Sequence, residues 1–153
     1  MKSIGKLFCI GGFGLLLVTG CQSSKPGSSS HAAVEITGHT ATEIQNTTVA
    51  VFAESGFTLR TNTPVMMQFD RGATLGEKAK YGDWFNDGMK MLVKVRLQNE
   101  AAETYLLRAD VYSVQDPNDT NFREEKRAMM FSSKAYQKLL DDVAYRLKFS
   151  AAK

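Results

Sequence analysis

MKMLVKVRL, residues 89–97, places large apolar side chains at its odd positions and a mostly basic set at its even positions. Successive side chains of a β-strand point to opposite faces, so this period of two predicts a strand with one buried face. YLLRADVY, residues 105–112, repeats the alternation, and the polar stretch 99–103 between the two predicts a turn. We therefore predict a β-hairpin at the centre of the fold.

Further strands are predicted on both sides of the hairpin. Residues 34–37 form a short extended segment, and residues 57–69 alternate on either side of Asn62-Thr63-Pro64 as two short strands or one bent strand. The turn-rich stretch 116–121 leads to a further strand near residues 122–130. The chain thus alternates between strands and turns over most of its length.

Two helices are predicted to flank these strands. Thr40 and Glu43 have the spacing of a capping box, which predicts a first helix over residues 41–55 that stops at Gly56. A second helix begins at Ser132 or Ser133. Its apolar stripe consists of Tyr136, Leu139, Leu140, Val143, Ala144 and Leu147.

Strands in series between two helices predict an α+β fold, with an antiparallel sheet of four to five strands and both helices packed on one face. The element order loosely resembles the helix-grip domains of lipoproteins that assist outer-membrane barrel assembly. This likeness concerns the fold alone and identifies no functional residue.

Residues 1–21, MKSIGKLFCIGGFGLLLVTGC, have the parts of a bacterial export signal. Lys2 and Lys6 precede an apolar run over residues 7–18, and small residues follow that run. The run is too short to span a bilayer comfortably, because a hydrocarbon core about 30 Å thick needs about 20 apolar residues. We therefore predict that residues 1–20 are a cleaved signal peptide.

The motif Val18-Thr19-Gly20-Cys21 resembles the lipobox of bacterial lipoproteins, in which an apolar residue, two small residues and a cysteine follow in order. In that class the cysteine receives a diacylglycerol and the peptide bond before it is cut. The resemblance implies that Cys21 is lipidated and that the membrane is a partner through its acyl chains. The alternative is an ordinary cleaved signal that leaves Cys21 as a free thiol. Cys9 lacks small residues before it and fits the motif poorly.

Gln22, and not aspartate, follows the predicted lipidation site. In a Gram-negative host the resemblance then implies a lipoprotein of the outer membrane that faces the periplasm. In a Gram-positive host it implies the outer face of the plasma membrane.

The Ser/Gly/Pro-rich stretch QSSKPGSSSHAA, residues 22–33, predicts a flexible tether. The sequence therefore divides into a signal peptide (1–20), a lipidated cysteine with its tether (21–33) and one α+β domain (34–150). A domain of this size can bury a single core.

The net charge argues against nucleic acid as a partner. Of 19 basic side chains, Lys2 and Lys6 lie in the signal, so 17 remain against 16 acidic ones in the predicted mature chain. A protein that binds nucleic acid usually carries a clear basic excess.

No catalytic or cofactor motif stands out in the sequence. Both histidines lie in or beside the tether, and the chain lacks a Walker loop, a dinucleotide fingerprint and metal-ligand spacing of His and Cys. Residues 116–121 offer oxygen ligands, but the glycine and glutamate of a calcium loop are absent. We expect no enzyme activity, no cofactor and no metal.

One face of the predicted sheet and one long connection are candidate binding surfaces. The sheet face opposite the core should carry Arg60, Lys94, Arg96 and Arg108, which either meet an anionic ligand or form an ordinary solvent-exposed face with paired charges. The long connection 71–88 contains aromatic side chains that either dock a partner or cover an edge of the core. These aromatic residues are Tyr81, Trp84 and Phe85.

These observations predict a membrane-anchored lipoprotein whose small non-enzymatic domain binds or scaffolds another component of the cell envelope, with an envelope protein as the expected partner. The alternative is a lipoprotein that captures a lipid or a small anionic ligand between sheet and helix. An exposed apolar patch beside a closed core favours a protein partner, whereas a lined cavity of several hundred Å³ favours a ligand.

Overall fold

A computed structural model describes residues 32–81, 88–115, 117–118, 124–128 and 133–150. Within these ranges the chain forms six strands and three helices. In chain order they are β1 (Ala32–Thr37), α1 (Ala41–Glu54), β2 (Thr58–Thr63), β3 (Met66–Gly72), α2 (Leu75–Tyr81), β4 (Lys90–Ala101), β5 (Thr104–Gln115), β6 (Glu124–Arg127) and α3 (Ser133–Ser150).

The strands form one antiparallel sheet in the order β1-β5-β4-β3-β2. The predicted hairpin is its centre, since β4 and β5 pair along almost their whole length. β1 and β6 share the far edge of β5: β1 pairs with residues 104–109 and β6 pairs with residues 112–115. This arrangement gives β5 two neighbours along most of its length.

Helices α1 and α3 cover one face of the sheet. Their buried side chains form a single core with the odd-numbered residues of β4 and β5, as the period of two predicted. At its centre Phe52 of α1 is fully buried and stacks on Phe69 with a ring separation of 4.5 Å. Burying large aromatic side chains supplies much of the stability of a domain this small.

Helix α1 matches its predicted start and end closely. The Thr40 amide donates to Glu43 Oε2 over 2.8 Å, while the Glu43 amide donates to Thr40 Oγ1 over 3.3 Å, so the capping box is present. Gly56 follows the helix with φ of 81°, a left-handed conformation that glycine adopts without a steric penalty.

The predicted α+β class and antiparallel sheet are confirmed, but the expected counts of strands and helices were wrong. The sheet has six strands because residues 57–69 form two strands around a turn at Pro64-Val65. The third helix, α2, lies in the connection that was expected to be a loop. Its first turn carries a second capping box, in which the Glu77 amide donates to Thr74 Oγ1 over 3.3 Å. That spacing was visible in the sequence.

The free side of strand β1 is bound by a side chain of α3. The Ala33 amide donates to Gln137 Oε1 over 3.1 Å, and Gln137 Nε2 donates to the Ala33 carbonyl over 2.9 Å. The glutamine thus satisfies backbone groups that a neighbouring strand would otherwise bind, which protects this part of the edge. The predicted signal, Cys21 and residues 22–31 of the tether lie outside the described residues.

Candidate functional site

The sheet face turned away from α1 and α3, here called the outer face, carries all four predicted basic residues. The even positions of β4 bring Lys94 and Arg96 to it, and Arg108 of β5 lies directly opposite Arg96. Arg60 reaches the same face from β2, where its Nε donates to Asp70 Oδ1 over 2.8 Å. The alternation of apolar and polar residues therefore located these side chains correctly.

Asp110 is the only carboxylate that is nearly fully buried among the described residues, with its side chain 3% exposed. It accepts a hydrogen bond from Arg96 and another, over 2.6 Å, from Nη2 of Arg127 in β6. The two guanidinium groups are about half exposed, at 57% and 50%. A buried carboxylate thus holds two arginines at the surface of the sheet.

A second set of ion pairs surrounds this centre. Lys94 Nζ donates to Glu125 over 2.9 Å and lies 4.6 Å from the centre of the Tyr112 ring, within the range of a cation–π contact. Asp70 also faces Lys90 at 3.6 Å. Many charged side chains of the outer face are therefore paired with each other.

Arg108 differs from the other three basic residues. Its Nε is buried and has no hydrogen-bond partner among the described residues. Arg96, directly across the strand pair, has the same charge, and like charges at this position repel each other. Sequence reasoning identified Arg108 but missed Arg127 and Glu125, because the short strand β6 is entirely polar and has no apolar alternation that would assign its faces.

On the helical side of the sheet, an open cleft of about 390 Å³ lies between α3 and the ends of α1 and β3. The described residues that line it are Ser55, Phe57, Arg71, Thr74, Ala135, Tyr136 and Leu139. Its lining is mostly apolar, and Phe57 and Tyr136 meet edge to face with their ring centres 6.3 Å apart. Apolar walls with a few polar groups are typical of ligand pockets.

A bidentate ion pair connects this cleft to helix α2. Nη1 and Nη2 of Arg71 donate to the two carboxylate oxygens of Glu77 over 2.8 and 2.7 Å. The Arg71 guanidinium also lies over the Phe57 ring at 4.9 Å. No residue of α2 is fully buried, and this ion pair is one of the contacts that attach the helix to β3.

The contacts around this ion pair change the pKa of Glu77 and of the neighbouring Tyr136. Burial alone would raise the pKa of Glu77, but hydrogen bonds from Arg71 and from the Thr74 amide together outweigh it and hold the pKa below its ordinary value. Burial, with the nearby Glu77 charge, raises the pKa of Tyr136. The tyrosine therefore stays neutral and the glutamate stays ionised near neutral pH.

We expect Glu77 to make the stability of the domain depend on pH. Because its folded pKa lies below the unfolded value, its contribution is present above about pH 5 and is lost as pH falls through the folded pKa. Glu77→Gln should cost about 2 kcal/mol at pH 7, since charge-assisted hydrogen bonds contribute this much. Urea unfolding from pH 3 to 7 should show a smaller loss of stability on acidification in the variant.

Glu54→Gln is the matched control for this measurement. Glu54 also pairs with an arginine, Arg146, but it is exposed. An exposed pair contributes little, so this variant should follow the wild-type pH profile more closely. Identical profiles for the two variants would contradict the role assigned to Glu77.

The remaining predicted residues are distributed differently. Tyr81 ends α2 and packs, partly buried, against the core, which agrees with the interpretation that it covers an edge. Trp84, Phe85 and Cys21 lie outside the described residues. Within the described ranges, no three His, Cys, Asp or Glu side chains are placed to hold a metal ion.

No helix in the described part of the chain is long and apolar enough to cross a membrane. The chain matches no known protein family, and no curated protein is significantly similar to it.

Proposed function

We propose that this protein is a membrane-anchored bacterial lipoprotein whose small non-enzymatic domain binds or scaffolds another component of the cell envelope. The motif Val18-Thr19-Gly20-Cys21 supports the anchor, and Gln22 supports an outer-membrane position facing the periplasm in a Gram-negative host. The near-neutral predicted mature chain supports a partner other than nucleic acid.

The surface around α2 is the observation that carries the binding role. This helix presents Leu75, 79% exposed, directly after Thr74, which lines the apolar cleft, and two residues before Glu77, which pairs with Arg71. The helix leads into the segment that contains Trp84 and Phe85. An exposed apolar side chain next to an apolar cleft and a buried aromatic cluster is suited to docking a protein, because its burial is favourable.

The anchor would act through local concentration. Acylation confines the domain to one membrane, and the predicted tether lets the α2 surface find a partner held in the same envelope. No bond need be made or broken for this role.

The cleft itself supports a second candidate function, the capture of a lipid or a small anionic ligand. Its volume of about 390 Å³ lies within the range of small-molecule sites. Arg71 in its wall supplies a positive charge, although Glu77 already binds both terminal nitrogens. An anionic ligand would have to compete with this carboxylate.

Photo-crosslinking in intact cells tests both candidates. A photoreactive residue at Leu75 is expected to capture the same envelope protein in replicate cultures, because this side chain is exposed on α2. Val65, 65% exposed in the turn after β2, is the matched control and should capture none. A second photoreactive residue replaces Leu139 in the cleft wall. Mass spectrometry of this protein after irradiation detects the added mass of any small molecule bound in the cleft.

Each outcome of the crosslinking decides between the candidates. A protein adduct at Leu75 supports the scaffold, and a low-mass adduct confined to Leu139 supports the ligand carrier in its place. If neither position captures more than Val65, the binding role of this surface is wrong.

A further inference from the structure

Strand β1, which follows the predicted tether in sequence, begins beside Arg108 and Arg127. β1 begins at Ala32, which pairs with Ala109, and Ala33 pairs with Arg108. On the other side of this point β6 ends at Arg127, opposite Tyr112. The chain that leads back to Cys21 therefore leaves the sheet edge between Arg108 and Arg127.

Arg96 and Arg127 bind the Asp110 carboxylate here, and Arg108 lies directly opposite Arg96. We name these three arginines the arginine cluster. Asp110 binds two of them, so the group as a whole keeps a positive charge. The Arg96 and Arg127 side chains are about half exposed, and Arg108 Nε has no hydrogen-bond partner among the described residues. The cluster therefore combines excess positive charge with two guanidinium groups that reach the surface.

The length of the predicted tether limits how far this cluster can lie from the anchor. Ten residues separate Cys21 from Ala32, and a Ser/Gly-rich chain of that length spans about 17 Å root mean square. The anchor is therefore held within this distance of the start of β1, where Ala33 pairs with Arg108.

We propose that the arginine cluster binds the phosphate groups of anionic phospholipids in the membrane that holds the acyl chains of Cys21. The proposal rests on the lipid anchor of the proposed function. A guanidinium group matches a phosphate with two parallel hydrogen bonds, and basic side chains near an anionic surface are attracted to it. The outer face then lies against the head groups.

This contact orients the domain on its membrane. The outer face is opposite the helices, whereas α2 and the cleft lie at the helical side and end of the sheet. With the arginine cluster on the head groups, the cleft points away from the bilayer. The cluster thus sets which surface is presented to a partner.

Fluorescence quenching on the lipidated mature protein tests the proposal. Gln98→Cys places a fluorescent label on the exposed outer face, and Ala50→Cys places the same label on exposed α1. With Cys21 acylated and Cys9 removed with the signal, the introduced cysteine is the only free thiol. The vesicles contain a head-group nitroxide lipid in either phosphatidylcholine alone or an equal mixture with phosphatidylglycerol.

The label at position 98 should be quenched in the mixed vesicles and less so in phosphatidylcholine, while the label at position 50 should be quenched in neither. Arg108→Gln should lower the ratio of quenched to unquenched protein about fivefold, because one basic side chain near an anionic surface contributes about 1 kcal/mol. Arg108→Lys keeps the charge and should retain most of the quenching. Lys138→Gln removes an exposed charge from α3 and should have no effect.

Salt provides a test that needs no substitution in the arginine cluster. Quenching of the wild-type label should decrease as sodium chloride rises from 0.05 to 0.5 M, because the ions screen the attraction. Equal quenching in both vesicle types, or no change with salt, would overturn the proposal. Flotation of the protein with vesicles in 1 M salt tests the anchor separately. A protein that does not float refutes the lipid anchor, whereas one that floats with an unquenched label at position 98 refutes the arginine contact alone.

Discussion

Cys21→Ser is expected to abolish attachment of acyl chains in the native host. In the lipoprotein class that residues 18–21 resemble, the cysteine thiol accepts the diacylglycerol and the peptide bond before it is then cut. Labelled palmitate should therefore be incorporated into the wild-type protein and not into the variant. The variant should accumulate at the size of the uncleaved precursor.

Cys9→Ser is the matched control, because Cys9 follows Phe8 within the apolar run and lacks the small residues of a lipobox. This variant should incorporate palmitate and be cleaved like the wild type. A Cys21→Ser protein that is still fully processed and membrane-associated would rule out the proposed anchor.

Asp110→Asn is expected to destabilise the domain by about 3 kcal/mol, because a buried charged acceptor of two guanidinium groups is lost. The loss exceeds that of a surface ion pair for two reasons. Asp110 is nearly fully buried, and one of the arginines it neutralises, Arg96, lies directly opposite Arg108 of the same charge. Urea unfolding followed by circular dichroism measures the difference.

Asp70→Asn tests whether burial is the cause. Asp70 also contacts two basic side chains on the outer face, Arg60 and Lys90, but it is 15% exposed and its distance to Lys90 is 3.6 Å. We expect a loss of about 1 kcal/mol, since partly exposed ion pairs contribute less. A loss at Asp70 equal to that at Asp110 would contradict the explanation.

The strands and helices that bury an apolar face were predictable from the sequence. β4 and β5 alternate between apolar and polar residues because only one face of each strand packs against the core. Helix α3 has an apolar stripe for the same reason, since only one side of it is buried. Helix α2 has no such stripe, since it buries no residue completely, and its only local signal is the Thr74–Glu77 capping box. A strand count of six further required knowing that the chain turns at Pro64-Val65.

The candidate sites were predictable to the extent that they lie on alternating strands. The period of two placed Lys94, Arg96 and Arg108 on one face, but it could not show which acids pair with them. Arg127 and Glu125 come from β6, whose four residues are all charged and exposed, and its register depends on pairing with β5. The cleft depends on the packing of three distant segments around Arg71, and no local pattern encodes it.

The pairing of β1 with β5 has a consequence for the order in which the chain can fold. During synthesis β1 emerges before the other described elements, yet its strand partner follows α1, three strands and α2. Pairings between such distant segments are slow, because a long loop must close before any contact is gained. The sheet cannot be completed until the second half of the chain exists, which is compatible with the proposed export of the chain before it folds.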